Sequence, residues 1–246
     1  MPKIYLSPST QEYNQTAIGN SEEYYMNLIA DAMMPYLRSS GIITIRNTPQ
    51  MTAASSIAQS NQNNVDLHVA LHSNAAPESL AGQLTGTDVY YAPSSSESKR
   101  FADLVVKNLK TIYYQPDKVR ALPTDFLGEV LRTKAPAVLI EFAYHDNVTD
   151  ASWIRDNIEP IARSVVLSIT EFFGIPFVEA QPTRVGTVTV SSGNLNIRSK
   201  PNLSASIVSR APKGAELYVL GEWQGWYVVY YKGAVGYASK SFITID

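Results

Sequence analysis

The chain has 246 residues, 45% of them hydrophobic, which is enough for one large globular domain and one small one. It has no cysteine, so disulfides and thiolate metal sites are excluded, and any metal must be held by imidazole, carboxylate or neutral oxygen. The formal charge of -2 is divided unevenly, since residues 183–246 hold seven Lys/Arg against three Asp/Glu and the remainder is acidic. A basic module on an acidic body suits docking on an anionic polymer, with solubility as the plainer use. No apolar run reaches the length of a membrane span, and neither membrane insertion nor a nucleic-acid partner is expected. The start, M-P-K-I-Y-L-S-P-S, lacks a cationic segment followed by a long apolar one, so no signal peptide is expected.

From Ile4 to about Ile175, short apolar strands alternate with longer helical patterns, the mark of an α/β domain with a largely parallel sheet flanked by helices. Ile4 to Leu6 opens it. Ser21 caps a helix to about Ser39, in which Tyr25, Leu28, Ile29, Ala32, Met33, Tyr36 and Leu37 recur at helical spacing until Gly41. A strand over 42–46, a helix over 52–61, strands over 66–72 and 87–91, and a helix over 97–113 follow. The strand Ala137 to Phe142 and one long helix from Thr149 to Phe173 complete the domain. The prolines of P-F-V-E-A-Q-P bracket a linker over 176–182, which separates a domain over 1–175 from one over 183–246. The last segment is a train of short strands broken by Gly, Pro, Asn and Ser turns, which predicts a small closed all-β barrel.

Two strands end on a single ionisable group: V-D-L-H-V-A-L-H-S-N-A delivers His72, and P-A-V-L-I-E-F delivers Glu141. Parallel strands present catalytic residues in this way, at the carboxyl edge of a sheet. With Glu23 near the start of the first long helix they make a carboxylate, an imidazole and a second carboxylate at one edge. Hydrolytic zinc sites use such ligands, the metal polarising a carbonyl and acidifying water while a free carboxylate acts as base.

In these motifs, residues 3 to about 174 resemble the zinc-dependent N-acetylmuramoyl-L-alanine amidases of cell separation, spore lysis and phage lysis. The matching pieces are E-Y-Y-M-N-L at 23–28, the arginine ending I-T-I-R, H-S-N-A at 72–75, V-L-R at 130–132 and P-A-V-L-I-E-F at 136–142. The resemblance implies that Glu23 and His72 bind Zn2+ and that Glu141 is the catalytic base. Glu22 is adjacent, but the spacing to Asn27 and Leu28 favours Glu23. The implied reaction is hydrolysis of the amide joining the lactyl group of N-acetylmuramic acid to L-alanine of the stem peptide. Where the family has D-P-G-H-G, with a first metal-binding histidine, this chain has S-P-S-T-Q, and Thr10 falls in the histidine slot. Three readings stay open: the Gln11 amide oxygen replaces the imidazole, His145 swings in, or the metal is lost and the domain only binds.

Other residues carry plainer readings. His68 reads as a buried hydrogen-bonded residue, Arg46 and Arg132 as ion-pair partners, and Asn74 and Asn147 as cleft or turn residues. Tyr24–Tyr25 and Tyr90–Tyr91 read as packing. Residues 183–246 resemble the bacterial SH3-like domains of wall hydrolases in L-N-I-R-S-K-P, P-K-G-A, W-Q-G-W-Y-V-V and G-Y-A-S-K-S-F-I. Trp223, Trp226 and Tyr231 are candidates for a peptide groove or for barrel filling. The combined reading is a peptidoglycan hydrolase tethered to its insoluble substrate, and to anionic wall polymers, by a basic barrel, acting after lysis or holin-like release. A non-catalytic wall binder is the alternative from another class. A stem-peptide peptidase is a further one, which the pairing of H-S-N-A with V-L-I-E disfavours.

Overall fold

A computed structural model describes all residues, Met1–Asp246. The chain divides into two compact units, one of Lys3–Met33 and Thr44–Phe172 and the other of Met1–Pro2, Met34–Ile43 and Phe173–Asp246. The expected linker therefore lies inside the second unit, together with the residues that end the first helix.

The first unit is built on a six-stranded sheet. Its strands are β1 (Lys3–Pro8), β2 (Ile43–Arg46), β3 (Leu67–Asn74), β4 (Thr87–Tyr91), β5 (Val119–Pro123) and β6 (Ala137–Tyr144), in the order β2-β1-β3-β6-β4-β5. The central strands β1, β3 and β6 pair in parallel and are almost wholly buried, which accounts for their continuous apolar runs. The sheet is largely parallel, as expected, with one antiparallel pairing, that of β4 with β6. β5 is an addition to the expected strands, pairing parallel to β4 at the edge.

The helices are α1 (Glu22–Ser39), α2 (Ala53–Gln62), α3 (Ser96–Leu109), α4 (Gly128–Leu131), α5 (Val148–Asp156) and α6 (Ile158–Phe173). Glu22 and Glu23 occupy the first turn of α1 and Arg38 the last, each at the favourable end of the helix dipole. The buried residues Glu22, Tyr25, Met26, Ile29, Met33, Tyr36 and Leu37 form one stripe along it. The single long helix expected over 149–173 is two. Asn157 interrupts it in a non-helical conformation, its side chain donating to the Trp153 carbonyl at 2.8 Å. Asn147 caps α5 by accepting from the amides of Thr149 and Asp150 at 2.9 and 3.2 Å. The four-residue α4 carries too little periodicity to be read from sequence.

The second unit holds strands β7 (Arg184–Val188), β8 (Asn194–Arg198), β9 (Ile207–Pro212), β10 (Glu216–Trp223), β11 (Trp226–Tyr231), β12 (Ala234–Ser239) and β13 (Ile243–Ile245). They form an antiparallel sheet in the order β13-β7-β10-β11-β12-β8-β9. Val188, Ile197, Ala211, Val219, Val229, Ala238 and Ile243, one from each strand, share a single core, so the sheet must curl on itself. Gly221 is required on β10, because a Cβ there would lie 2.4 Å from the Ser39 carbonyl oxygen.

Candidate active site

The parallel register of β3 and β6 sets His72 directly beside Glu141 at the carboxyl edge of the sheet. α1 brings a third group, and it is Glu22: its Oε1 lies 2.9 Å from His72 Nδ1. Glu23, the expected ligand, lies elsewhere, lining a separate hollow with Asn27, Asp31 and Arg46. Glu22 is buried because it precedes Tyr25, Met26 and Ile29 by three, four and seven residues, on the stripe that faces the core. Glu23 is one position, about 100°, round the helix.

Glu22 also accepts from Asn14 Nδ2 at 2.7 Å and lies 3.4 Å from the Ser73 amide nitrogen. Burial alone would raise its pKa, but the hydrogen bond and charge of His72, with help from Asn14 and Ser9, hold it below the usual carboxylate range. His72 is pushed up to about 10: burial works against its charge and is outweighed by Glu129, Glu22 and Glu141. As the chain stands, His72 is therefore an imidazolium among carboxylates. Glu141 is pushed up to about 7 by burial, opposed by His72 and assisted by Glu22 and Asp88. Its Oε2 is shut off from solvent with no hydrogen-bond partner, a costly arrangement for an idle carboxylate.

Gln11 is brought to the same ring edge, with Nε2 3.4 Å from His72 Nδ1. Its Oε1 accepts from Tyr13 Oη at 3.2 Å and Asn14 Nδ2 at 3.0 Å, so turning this amide over would present the oxygen to His72 at the expense of those bonds. Thr10 lines a cavity of about 420 Å³ with Gln11, His72, Asn47 and Glu129. His145 is not drawn in: its Nδ1 is 2.9 Å from the Ser73 carbonyl oxygen and 3.0 Å from Ser73 Oγ. Asn74 accepts from the Ala75 amide at 2.9 Å and shapes the turn after β3. Arg46 is structural, bound to Asp31 at 2.5 Å and to Asn27 Oδ1 at 2.7 Å, while Arg132 is exposed.

No group of three or more His, Cys, Asp or Glu side chains is arranged to hold a metal ion. The residues fit a small cation only with a neutral third donor. Glu22 Oε1, His72 Nδ1 and the Gln11 amide gather at one point with separations of 2.9 and 3.4 Å from the ring nitrogen. Ligands held at ~2.0–2.1 Å around zinc are spaced by a little over 3 Å. Nothing in the sequence singled out Glu129, which closes the other side of His72 with Oε2 3.4 Å from Nε2. It lies on α4, in a stretch whose periodicity is silent.

In the second unit, Tyr231 is a core residue and not part of a groove. Its position on β11 alternates with exposed Tyr230, so its ring faces inward. Trp223 and Trp226 face each other across the β10–β11 hairpin and pack on Val178, Val228 and Tyr237. Trp226 also borders an open groove of about 340 Å³ with Asn194, Arg198, Leu203 and Phe242.

A mixed sheet with an imidazole and two carboxylates at one edge, followed by a curled β-module, defines a two-module hydrolase architecture. The profile of the N-acetylmuramoyl-L-alanine amidases matches residues 4–171, and that of the bacterial SH3 domain matches residues 193–244. The chain belongs to the N-acetylmuramoyl-L-alanine amidase family, and its substrate is peptidoglycan. Among solved structures it is similar to the amidase AmiC2 of Nostoc punctiforme, with 15% identity and a TM-score of 0.62 over 70% of this chain and 97% of that one. The catalytic domain of CwlV, an N-acetylmuramoyl-L-alanine amidase from Bacillus (Paenibacillus) polymyxa var. colistinus, is 17% identical with a TM-score of 0.59, covering 72% and 100%. The catalytic domain of the CD27L endolysin targeting Clostridia difficile is 22% identical with a TM-score of 0.58, covering 70% and 98%. At these identities the likeness shows a shared fold. No curated protein matches the chain.

Proposed function

We propose that this amidase is zinc-dependent, with Glu22, His72 and the Gln11 amide holding the ion and Glu141 moving the proton. The observation that carries this reading is the contact of Glu22 with His72 beside a buried, unpartnered carboxylate oxygen of Glu141. When bound, zinc would supply Lewis acidity for the scissile carbonyl and lower the pKa of water. Glu141, pushed up to about 7, takes a proton from the attacking water at neutral pH and returns it to the departing L-alanine amine. To hold a cation, His72 would give up the Nδ1 proton that its contact with Glu22 otherwise retains. Asn14 keeps Glu22 oriented from the opposite side.

The basic SH3 module is proposed to hold the enzyme on the wall, including its anionic polymers, raising the local concentration of cleavable bonds. Release to the wall by lysis or a holin-like pore remains part of the proposal. The non-catalytic alternative draws on one observation, the missing third imidazole or carboxylate donor. One experiment separates the two: metal analysis of protein purified without added zinc, beside turbidity loss of purified walls, for wild type and Glu141→Ala. About one zinc per chain with lysis that disappears in the variant supports the enzyme. No metal and no lysis after zinc addition leaves a wall binder.

A further inference from the structure

We propose that Glu129 is a positioning residue that braces His72 from the side opposite Glu22. The proposal rests on the metal-site reading above and deepens it. Glu129 is only 6% exposed, on a helix whose neighbours Leu127 and Val130 pack in an apolar cluster. An apolar side chain would satisfy that packing, and a buried carboxylate persists only where polar partners compensate its desolvation. The partners are present. Ser7 Oγ donates to Oε1 at 2.5 Å, and His68 Nε2 lies 3.2 Å from the same oxygen. His68 is itself fully buried, fixed by Ser60 Oγ at 3.0 Å from Nδ1 and by the Tyr5 ring stacked at 5.1 Å.

Anchored in this way, the carboxylate offers its other oxygen, Oε2, to His72 Nε2. The two nitrogens of one imidazole point to different sides, so Glu129 and Glu22 cannot both meet an ion on the same nitrogen. Glu22 and Gln11 face Nδ1, whereas Glu129 faces only Nε2. Glu129 is thereby a brace and not the missing ligand: it accepts the Nε2 hydrogen, fixes the ring plane and leaves Nδ1 aimed at Glu22. Carboxylates that hold a ligand histidine by its distal nitrogen commonly change metal affinity by about 10–100-fold when lost.

The chain has three histidines, so 15N-histidine NMR resolves each ring. The full-length protein is compared with Glu129→Asp, which keeps the charge but withdraws the oxygen by one methylene, and with Glu129→Ala, which removes both oxygens. The His72 Nε2–H is expected to exchange slowly in wild type and at least about tenfold faster in both variants, whose zinc affinity falls by about 10–100-fold, while the His145 ring, held by Ser73, keeps its wild-type exchange. Equal His72 exchange in either variant and wild type overturns the brace, as does an equal gain at His145, which would mark a general loosening of the fold. The NMR readout needs no metal. A wild type that binds no zinc therefore defeats the metal reading while the ring signals still decide the brace.

Discussion

Glu22 Oε1 stands 2.9 Å from His72 Nδ1, although the two residues are 50 positions apart. The contact depends on which of two adjacent glutamates the α1 helix turns inward, and adjacent helical positions differ by about 100°. Glu22→Gln is expected to lower zinc affinity and wall lysis by at least about 10–100-fold, and Glu23→Gln to change either by less than about threefold. Chelator-competition titration and turbidity assays on both variants check this. Loss in Glu23→Gln alone would reverse the assignment.

Glu141 should show its burial in two opposed ways. As a base it must be ionised, so kcat/KM is expected to fall at acid pH as its carboxylate is protonated, and Glu141→Gln to lose about 10²–10⁴-fold. A Glu141→Gln variant with wild-type kcat/KM would contradict the role.

The same group should weaken the fold. Its folded pKa is raised, so the native state favours the neutral acid, and stability declines as pH rises from the ordinary carboxylate value of 4.5 to about 7. In chelator-treated protein, Glu141→Gln is therefore expected to be more stable above pH 7 by up to roughly 3 kcal/mol, with no gain below the unfolded pKa. Urea melts at two pH values measure it, and an equal difference at both would refute the linkage.

Gln11 stands where an imidazole would complete the donor set. Gln11→His is expected to tighten zinc binding by at least about tenfold, and Gln11→Ala to weaken it by a similar factor. Identical metal titrations for all three proteins would remove Gln11 from the site.

In the SH3 module, Tyr231 and Trp226 should separate stability from binding. Tyr231→Ala opens a cavity in the core and is expected to cost about 3–5 kcal/mol. Trp226→Ala touches the groove edge and is expected to lower cosedimentation with purified walls at a smaller stability cost. The reverse ranking by thermal melts and sedimentation would place the ligand elsewhere.

Much of the fold was legible. The apolar runs that end on His72 and Glu141 announced two buried strands and the residues at their ends, because a strand covered on both faces has no polar position to spare. The stripe on α1 was also legible, and extending it back by one turn reaches Glu22 through the three- and four-residue spacing to Tyr25 and Met26. Spacing to Asn27 and Leu28 pointed to Glu23 instead, and a motif offset carries no information about which side of a helix is covered. Similarly, Tyr231 and Trp226 are both aromatic residues of one strand, and only burial distinguishes the core ring from the groove wall.

By itself, the amino-acid sequence determined the two-module organisation and the strand-end imidazole and carboxylate, since hydrophobic periodicity and local motifs are one-dimensional properties. Tertiary structure alone decided the antiparallel pairing of β4 with β6, the turning of Glu22 toward His72, and the arrival of Glu129 from α4 on the other side of the ring. Each joins segments distant in the chain, and no local preference encodes which of them meet until the core has packed.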